Sequence, residues 1–163
     1  MKETFIILTA TLFITQTAIG QNLFFIGENS YPSTKTITLE ANSTSIFIYN
    51  LNVVLAKDGT TALIAVSTRI SSEVYIGGKL IVYLDDGAVI ICNERIKFDY
   101  VDNTAKSVYH LTNEDLSKMK NSNINTVRYE LQSFGSNDSD EGNYSATNKG
   151  TPTKTLITKF FVE

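Results

Sequence analysis

Two Asp-Gly pairs, each flanked by strand-like sequence, constrain the fold of this 163-residue chain most strongly. They are Asp58-Gly59, between residues 51–57 and 60–68, and Asp86-Gly87, between residues 79–85 and 88–93. Such pairs tolerate the positive φ angles of the two-residue type I′ turns that join antiparallel strands. The sequence therefore predicts two β-hairpins.

These turns predict which side chains share a face. With Lys57 opposite Thr60, one face of the first hairpin is wholly apolar, with Leu51, Val53, Leu55, Ala62, Ile64 and Val66. With Asp85 opposite Ala88, one face of the second hairpin contains Leu80, Val82, Leu84, Val89 and Ile91, and the other contains Ile81, Tyr83, Ile90 and Cys92. Because both of its faces are apolar, the second hairpin is predicted to lie at the centre of the protein.

Other alternating segments predict further strands. They are residues 21–26 (a first strand or a packed arm), 34–39, 95–100, 106–111, 126–132 and 153–163. In the third of these, Ile96, Phe98 and Tyr100 alternate with polar residues and are predicted to face inward. The pattern favours an all-β fold, an antiparallel β-sandwich of about eight strands. A small outer-membrane barrel is the alternative, and strands that are apolar on both faces disfavour it.

One short α-helix is predicted at residues 113–120. Thr112 can cap its free amides, and Asp115, three residues later, completes a capping-box-like pair. Leu111 and Leu116 occupy the positions of a hydrophobic staple, and Leu116 and Met119 form one apolar stripe. A helix this short is unstable alone and is therefore expected to lie on the sheet.

The first 20 residues have the pattern of a secretory signal peptide. Met1-Lys2 is followed by an apolar run from Phe5 to Ile19, and Ala18-Ile19-Gly20 provides a small-x-small cleavage site. The run is shorter than the roughly 20 residues that a spanning helix needs. We therefore expect cleavage near Gly20, a secreted or periplasmic location, and a mature chain of residues 21–163 without a membrane span.

The mature chain is predicted to be a single β-sandwich domain without disulfides. Its one cysteine, Cys92, lies in the apolar sequence Val89-Ile90-Ile91-Cys92 and is expected to be a small buried residue. About 140 residues can bury enough surface to be stable without cross-links.

Two polar segments are predicted to be loops, residues 27–33 and a mobile loop at 135–152. The candidate binding residues in these loops are Tyr31, Asp138, Asp140 and Tyr144. The acidic sequence around Asp138 and Asp140 resembles a calcium loop, but its carboxylates are out of register with the EF-hand template, so no metal site is assigned. Asn42, Asn137 and Asn143 lie in N-x-[ST] sequons, which matter only in a eukaryotic secretory host.

Little in the sequence indicates catalysis. His110, the only histidine, precedes Glu114 and Asp115, which is the basis for an alternative hypothesis of a small hydrolase. Asp85 and Asp86 are adjacent on a turn and do not suit glycoside hydrolysis. We assign no catalytic residue and no cofactor. The net charge of −3 and the lack of a lysine or arginine cluster on any predicted element disfavour nucleic acid as a partner.

The sequences YIGGKLIVYLDDGAVI and YVDNTAKSVYHLTNEDLSKMKNSNINTVRYEL resemble segments of small secreted bacterial proteins of unknown function. The resemblance covers about residues 22–131, most of the mature chain. It implies membership of an uncharacterised secreted family and carries no catalytic residue to transfer.

The sequence therefore favours an exported, non-catalytic β-sandwich that binds a protein or glycan partner at the cell envelope or outside the cell. The hydrolase is one alternative. Another is a structural subunit that assembles through a sheet edge, using the sequence QNLFFI or the C-terminal KTLITKFFVE. The oligomeric state is left open.

Overall fold

The computed structural model describes residues 22–43, 48–70, 74–135 and 141–162. Its first strands are β1 (Asn22–Ile26), β2 (Asn29–Ser33), β3 (Ile37–Ala41), β4 (Ile48–Asp58), β5 (Thr61–Ile70) and β6 (Val74–Leu84). The others are β7 (Val89–Cys92), β8 (Arg95–Val101), β9 (Thr104–Leu111), β10 (Ile124–Ser133) and β11 (Gly142–Thr147). The helices are α1 (Asn113–Asn121) and α2 (Thr153–Val162). The predicted signal peptide lies outside the described residues and stays a prediction.

The strands form one antiparallel sheet that folds over into two layers. Its order is β7-β6-β10-β11-β3-β4-β5-β9-β8, and the β1–β2 hairpin joins it through β4. The layers meet where β6 crosses β9, because the Ser107 hydroxyl donates to the Ile76 carbonyl at 2.6 Å and the Tyr109 hydroxyl donates to the Gly77 carbonyl at 3.4 Å. The all-β sandwich prediction is confirmed, with eleven strands rather than about eight.

Strand β5, rather than the second Asp-Gly hairpin, lies at the centre of the protein. One face of β4 and β5 contributes Val53 and Ile64 to the main core between the two layers. Their other face packs Leu63 into an outer core beneath the β1–β2 hairpin, beside Ile26 and Tyr31. The strand between two cores is therefore apolar on both sides.

The β4–β5 turn is shifted by one residue from its predicted position. Asp58 pairs with Thr61, so Gly59 and Thr60 occupy the turn, and Gly59 has φ 58°. A glycine at the first central position is typical of a type II′ turn. Lys57 pairs with Ala62 instead of Thr60, a shift of two residues that leaves the predicted faces correct.

The predicted faces of β7 are wrong. The β6–β7 loop has three residues, Asp85 to Gly87, because the Gly87 amide donates to the Leu84 carbonyl and the Leu84 amide donates to the Ala88 carbonyl. The φ of 86° at Gly87 fits a type I turn closed by a glycine bulge. The extra loop residue moves the register by one and exchanges the faces of β7.

As a consequence, Ile90 and Cys92 enter the main core, and Val89 and Ile91 are exposed. This arrangement makes β7 an edge strand of the sheet, not its centre.

Strand β8 contains a bulge that the sequence pattern does not show. Arg95 pairs with Tyr109 and Lys97 pairs with Val108, so Ile96 is an extra residue. The bulge puts Arg95 on the same face as Phe98 and Tyr100, whereas strict alternation predicts opposite faces.

Helix α1 begins as predicted. The Thr112 hydroxyl accepts a hydrogen bond from the Asp115 amide at 3.1 Å and donates to the Asp115 carboxylate at 2.6 Å. Met119 is fully buried and Leu116 packs against the main core, so the predicted apolar stripe lies on the sheet.

The predicted C-terminal strand is wrong, because residues 153–162 form helix α2. Thr153 and Ile157, one helical turn apart, are the buried residues, whereas Val162 is exposed. The Thr153 hydroxyl accepts a hydrogen bond from the buried Ile124 amide at 2.7 Å, which fixes the start of the helix to β10. Residues 154–162 of the sequence KTLITKFFVE are therefore helical here and do not form an edge strand.

Both predicted loops contain a strand. Residues 29–33 form β2, where Pro32 is tolerated because β2 pairs with β4 through Ser33 alone. Residues 142–147, within the predicted 135–152 loop, form β11 between β10 and β3. Residues 136–140 of that loop lie outside the described residues.

In the described ranges, neither helix is long and apolar enough to cross a membrane.

Candidate binding surface

Four aromatic side chains gather at the end of the sandwich opposite the two helices. They are Tyr75 of β6, Phe98 and Tyr100 of β8, and Phe134, which follows β10; we call them the aromatic cluster. The Tyr75 ring centroid lies 5.0 Å from that of Phe98 and 4.8 Å from that of Phe134, and the Phe98 and Phe134 centroids are 6.2 Å apart. These separations lie in the favourable range for tilted aromatic pairs.

Strand topology brings these rings together. Phe98 and Tyr100 face the inner side of β8, the last strand of the sheet. Phe134 comes directly after Ser133, whose partner on β6 is Val74. Residues of two strands and of the segment that follows a third therefore meet where the main core reaches solvent.

Arg95 holds the cluster in place. Its guanidinium lies 4.5 Å from the Phe98 ring centroid and 5.1 Å from that of Tyr75. One of its nitrogens, Nη1, donates to the Ile76 carbonyl at 2.9 Å. Because an arginine stacks well on aromatic rings and this one is also anchored to backbone, its contacts orient the rings of Phe98 and Tyr75.

The aromatic cluster exposes more apolar surface than core packing requires. Phe98 is 45% exposed and Phe134 is 54% exposed. A group of exposed apolar residues around an arginine is typical of a surface that binds a partner.

The predicted binding residues do not form this surface. Tyr31 is buried in β2 within the outer core, so its predicted loop position is wrong. Tyr144 is half-buried in β11, and its ring centroid lies 6.0 Å from that of Tyr129. Asp138 and Asp140 lie outside the described residues.

The structure does not join His110 to its two neighbouring carboxylates. His110 is exposed on β9, and the Glu114 carboxylate pairs with the Lys118 ammonium at 2.7 Å. That hydrogen bond, with the Lys118 charge, lowers the pKa of Glu114. The Asp115 carboxylate accepts a hydrogen bond from the Thr112 hydroxyl in the N-cap. Within the described part of the chain, neither carboxylate forms an ion pair with His110.

Cys92 is buried and free, as predicted. Burial raises its pKa to about 12, and the nearby Asp115 charge adds to this effect. A thiol with such a pKa is protonated at neutral pH and is therefore a poor nucleophile.

The other candidate acidic groups have structural partners. Asp85 accepts a hydrogen bond from the Asn125 amide group at 3.0 Å, and Asp86 accepts one from the Ala88 backbone amide at 3.0 Å. Among the described residues, no group of three or more histidine, cysteine or carboxylate side chains is placed to hold a metal ion.

The sequence pattern does not reveal the aromatic cluster because it predicts that Phe98 and Tyr100 face inward. Tyr109 and Tyr129, on other strands, are indeed buried. Phe98 is not, because it lies on an inner face but beyond the cover of the second layer. The alternating pattern of β8 gives the face of a residue and not the extent of the opposite layer.

Comparison with known proteins gives no match: no protein-family model, no curated protein and no solved structure matches this chain.

Proposed function

We propose that this protein is an exported, non-catalytic binding module that contacts a protein partner through the aromatic cluster and Arg95. The exposed rings of Phe98 and Phe134 are the observation that carries the proposal. Burying these rings against a partner would remove apolar surface from water at about 25 cal/mol per Å². The proposal also includes membership of an uncharacterised family of secreted bacterial proteins, as the sequence resemblance suggests.

The arrangement of the rings favours a protein over a glycan. The rings are inclined to one another by 34° to 64°, so they form an irregular surface and not a flat platform for a sugar ring. Phenylalanine also lacks a polar group that could bind hydroxyls. Phenylalanine, tyrosine and arginine are enriched at protein–protein interfaces, where they supply most of the binding energy.

Capture by two matched variants tests the proposal. The test variant is the double substitution Phe98→Ser and Phe134→Ser. The control is the double substitution Val89→Ser and Ile91→Ser on β7, where the side chains are 42% and 51% exposed. Both variants remove a similar exposed apolar area. We expect the first variant alone to lose the partner that the wild-type protein retains from its own cell envelope or culture medium. Equal retention by both variants would contradict the proposal.

Export is tested by the N-terminus of the protein recovered outside the cytoplasm. We expect mass spectrometry to show a chain beginning near Gln21, because the small-x-small site ends at Gly20. Recovery only in the cytoplasm with an intact N-terminus would exclude an exported module.

The β1 edge supports a second candidate function, assembly of several copies through the sequence QNLFFI. Leu23 and Phe25 are 48% and 56% exposed, and of the strands that the structure describes, β2 alone pairs with β1. Two side chains already bind backbone groups at this hairpin. The Lys106 ammonium donates to the Phe25 carbonyl, and the Asp99 carboxylate accepts a hydrogen bond from the Gly27 amide, so fewer groups are open to another strand.

Size-exclusion chromatography separates this candidate from a monomeric binder. If β1 mediates assembly, Leu23→Ser with Phe25→Ser reduces the apparent mass at a concentration where the wild type is oligomeric. A wild-type protein that elutes as a monomer would exclude assembly at that concentration.

A further inference from the structure

A shallow groove of about 540 Å³ runs between α1 and α2, far from the aromatic cluster. Its walls carry three lysines, Lys120 from α1 and Lys154 and Lys159 from α2, together with the hydroxyls of Thr155 and Thr158. The Thr158 hydroxyl donates to the Lys120 carbonyl at 3.2 Å, which holds the two helices side by side. Lys120 of α1 and Thr153, the first residue of α2, are 33 positions apart in the sequence. The fold therefore brings distant lysines into one basic groove, although the net charge of the chain is −3.

The described residues place no carboxylate next to these three ammonium groups. Among the described residues, none of them has a carboxylate oxygen within 4.0 Å, whereas Lys118 pairs with Glu114 and Lys149 lies 3.9 Å from Glu40. The Lys120 ammonium is instead 5.4 Å from the Phe161 ring centroid. Another lysine, Lys57 of β4, contacts α2, with its ammonium 4.7 Å from the Phe160 ring centroid.

Like charges that line one groove repel each other, and a bound anion would offset that repulsion. Lysine is a common ligand of phosphate, to which it contributes a mobile point charge, and the hydroxyl of Thr155, which also lines the groove, is of a type that donates to phosphate oxygens. The groove is also within the size range of small-molecule sites. We propose that it binds a phosphate-bearing ligand.

Two probes distinguish the possible sources of the phosphate. Inositol hexakisphosphate, measured by calorimetry, represents a soluble phosphate ester. Vesicles of phosphatidylcholine with phosphatidylglycerol, measured by co-sedimentation, represent an anionic lipid headgroup. We expect binding to at least one probe, with an affinity that falls as salt increases because the contacts are electrostatic.

Charge-matched variants locate the site. K120Q/K154Q/K159Q removes the groove lysines, and K35Q/K79Q/K149Q removes three exposed lysines elsewhere and gives the same net charge. We expect the groove variant to bind about ten-fold or more weakly, since each lysine near an anionic surface contributes about a factor of five. The control variant should stay within about two-fold of the wild type, because weak distant charges are screened.

Thermal unfolding shows that both variants are folded before binding is compared. Equal weakening in the two variants would mean a general charge effect and would overturn the proposal, as would a wild-type protein that binds neither probe. The double variant with Phe98→Ser and Phe134→Ser should keep its phosphate binding. A negative result for phosphate binding at the groove can therefore be told apart from a negative result for partner binding at the aromatic cluster.

Discussion

The two ends of the sandwich close the main core in different ways. At the helical end, α1 and α2 cover it, and Met119 and Ile157 are fully buried there. At the aromatic end no helix covers the core in the described residues, and Phe98 and Phe134 are about half exposed. The difference indicates that apolar side chains stabilise the fold at one end and are available to a partner at the other.

The contacts at the two ends also differ in kind. Polar contacts of defined geometry attach α2 to the start of β10, where the Lys154 amide donates to the Asn123 side chain at 3.1 Å. Asn148 adds to them by donating to the Ile124 and Thr151 carbonyls. Ring packing and a single arginine organise the aromatic end. Ring packing can adjust to a partner more readily than buried hydrogen bonds can, because it is less directional.

The largest expected effect is at the helical end. Ile157→Ala should lower the free energy of unfolding by about 3 kcal/mol, because it removes buried methyl groups and leaves a cavity. Val162→Ala, on the same helix but 77% exposed, is the control and should change it by less than about 0.5 kcal/mol. Denaturant unfolding measures both values, and equal losses would show that α2 does not seal the core.

The interior between the two ends is tested by alkaline pH. Burial raises the pKa of Tyr109 to about 12, from 10.0 in an unfolded chain. The unfolded state therefore loses this proton first, so the stability contribution is complete below pH 10 and is lost as pH rises through 12. At pH 12 the loss is about 2 kcal/mol.

The Tyr109→Phe variant isolates this effect. Between pH 9 and pH 12, the free energy of unfolding of the wild type should fall by about 2 kcal/mol more than that of the variant. Identical pH dependence in the two proteins would mean that water reaches the Tyr109 hydroxyl.

A smaller effect is expected at the start of α1. Thr112→Ala should lower the free energy of unfolding by about 1 kcal/mol, since the Asp115 amide loses its cap. Ser117→Ala, at an exposed position inside the same helix, should cause no loss, because alanine has the higher helix propensity. Chemical denaturation of both variants checks the difference, and an equal loss would remove the assigned role of the cap.

The smallest effect on stability is expected at the aromatic end. Phe134→Ala should lower the free energy of unfolding by less than about 1 kcal/mol, far below the 3 to 5 kcal/mol of a buried phenylalanine, because half of its ring is already in water. A loss of about 3 kcal/mol, measured under the same conditions as for Ile157→Ala, would make the two ends energetically alike.

Local sequence signals predicted the parts of the fold that depend on neighbouring residues. The N-cap and apolar stripe of α1 follow from Thr112, Asp115 and Met119, all within one short segment. The faces of β4 and β5 were also predicted correctly, because the shift of two residues at the Gly59 turn preserves them. The position of the turn itself was not.

The errors come from competing patterns that tertiary structure resolves. In residues 153–162, Leu156, Thr158, Phe160 and Val162 alternate as in a strand, but Thr153 and Ile157 are spaced as in a helix and are the residues that become buried. A single extra loop residue before Ala88 reversed the faces of β7.

The aromatic cluster could not be predicted from local sequence. Its residues lie on β6, on β8 and directly after β10, and its position depends on the sheet ending at β8 and on the bulge at Ile96. Neither the end of a sheet nor a bulge has a local signature in this chain. The basic groove has the same origin, because its lysines come from two separate helices.

Site-specific photocrosslinking tests the difference between the ends most directly. A photoreactive phenylalanine analogue replaces Phe98, Phe134, Val89 or Val162 in turn in the full chain, expressed in its own host. We predict a discrete light-dependent protein adduct at Phe98 and Phe134 that Arg95→Ala weakens, and none above background at Val89 or at Val162 on the helical end. Adducts of equal yield at all four positions, or only at Val162, would contradict the assignment of the aromatic end as the binding surface.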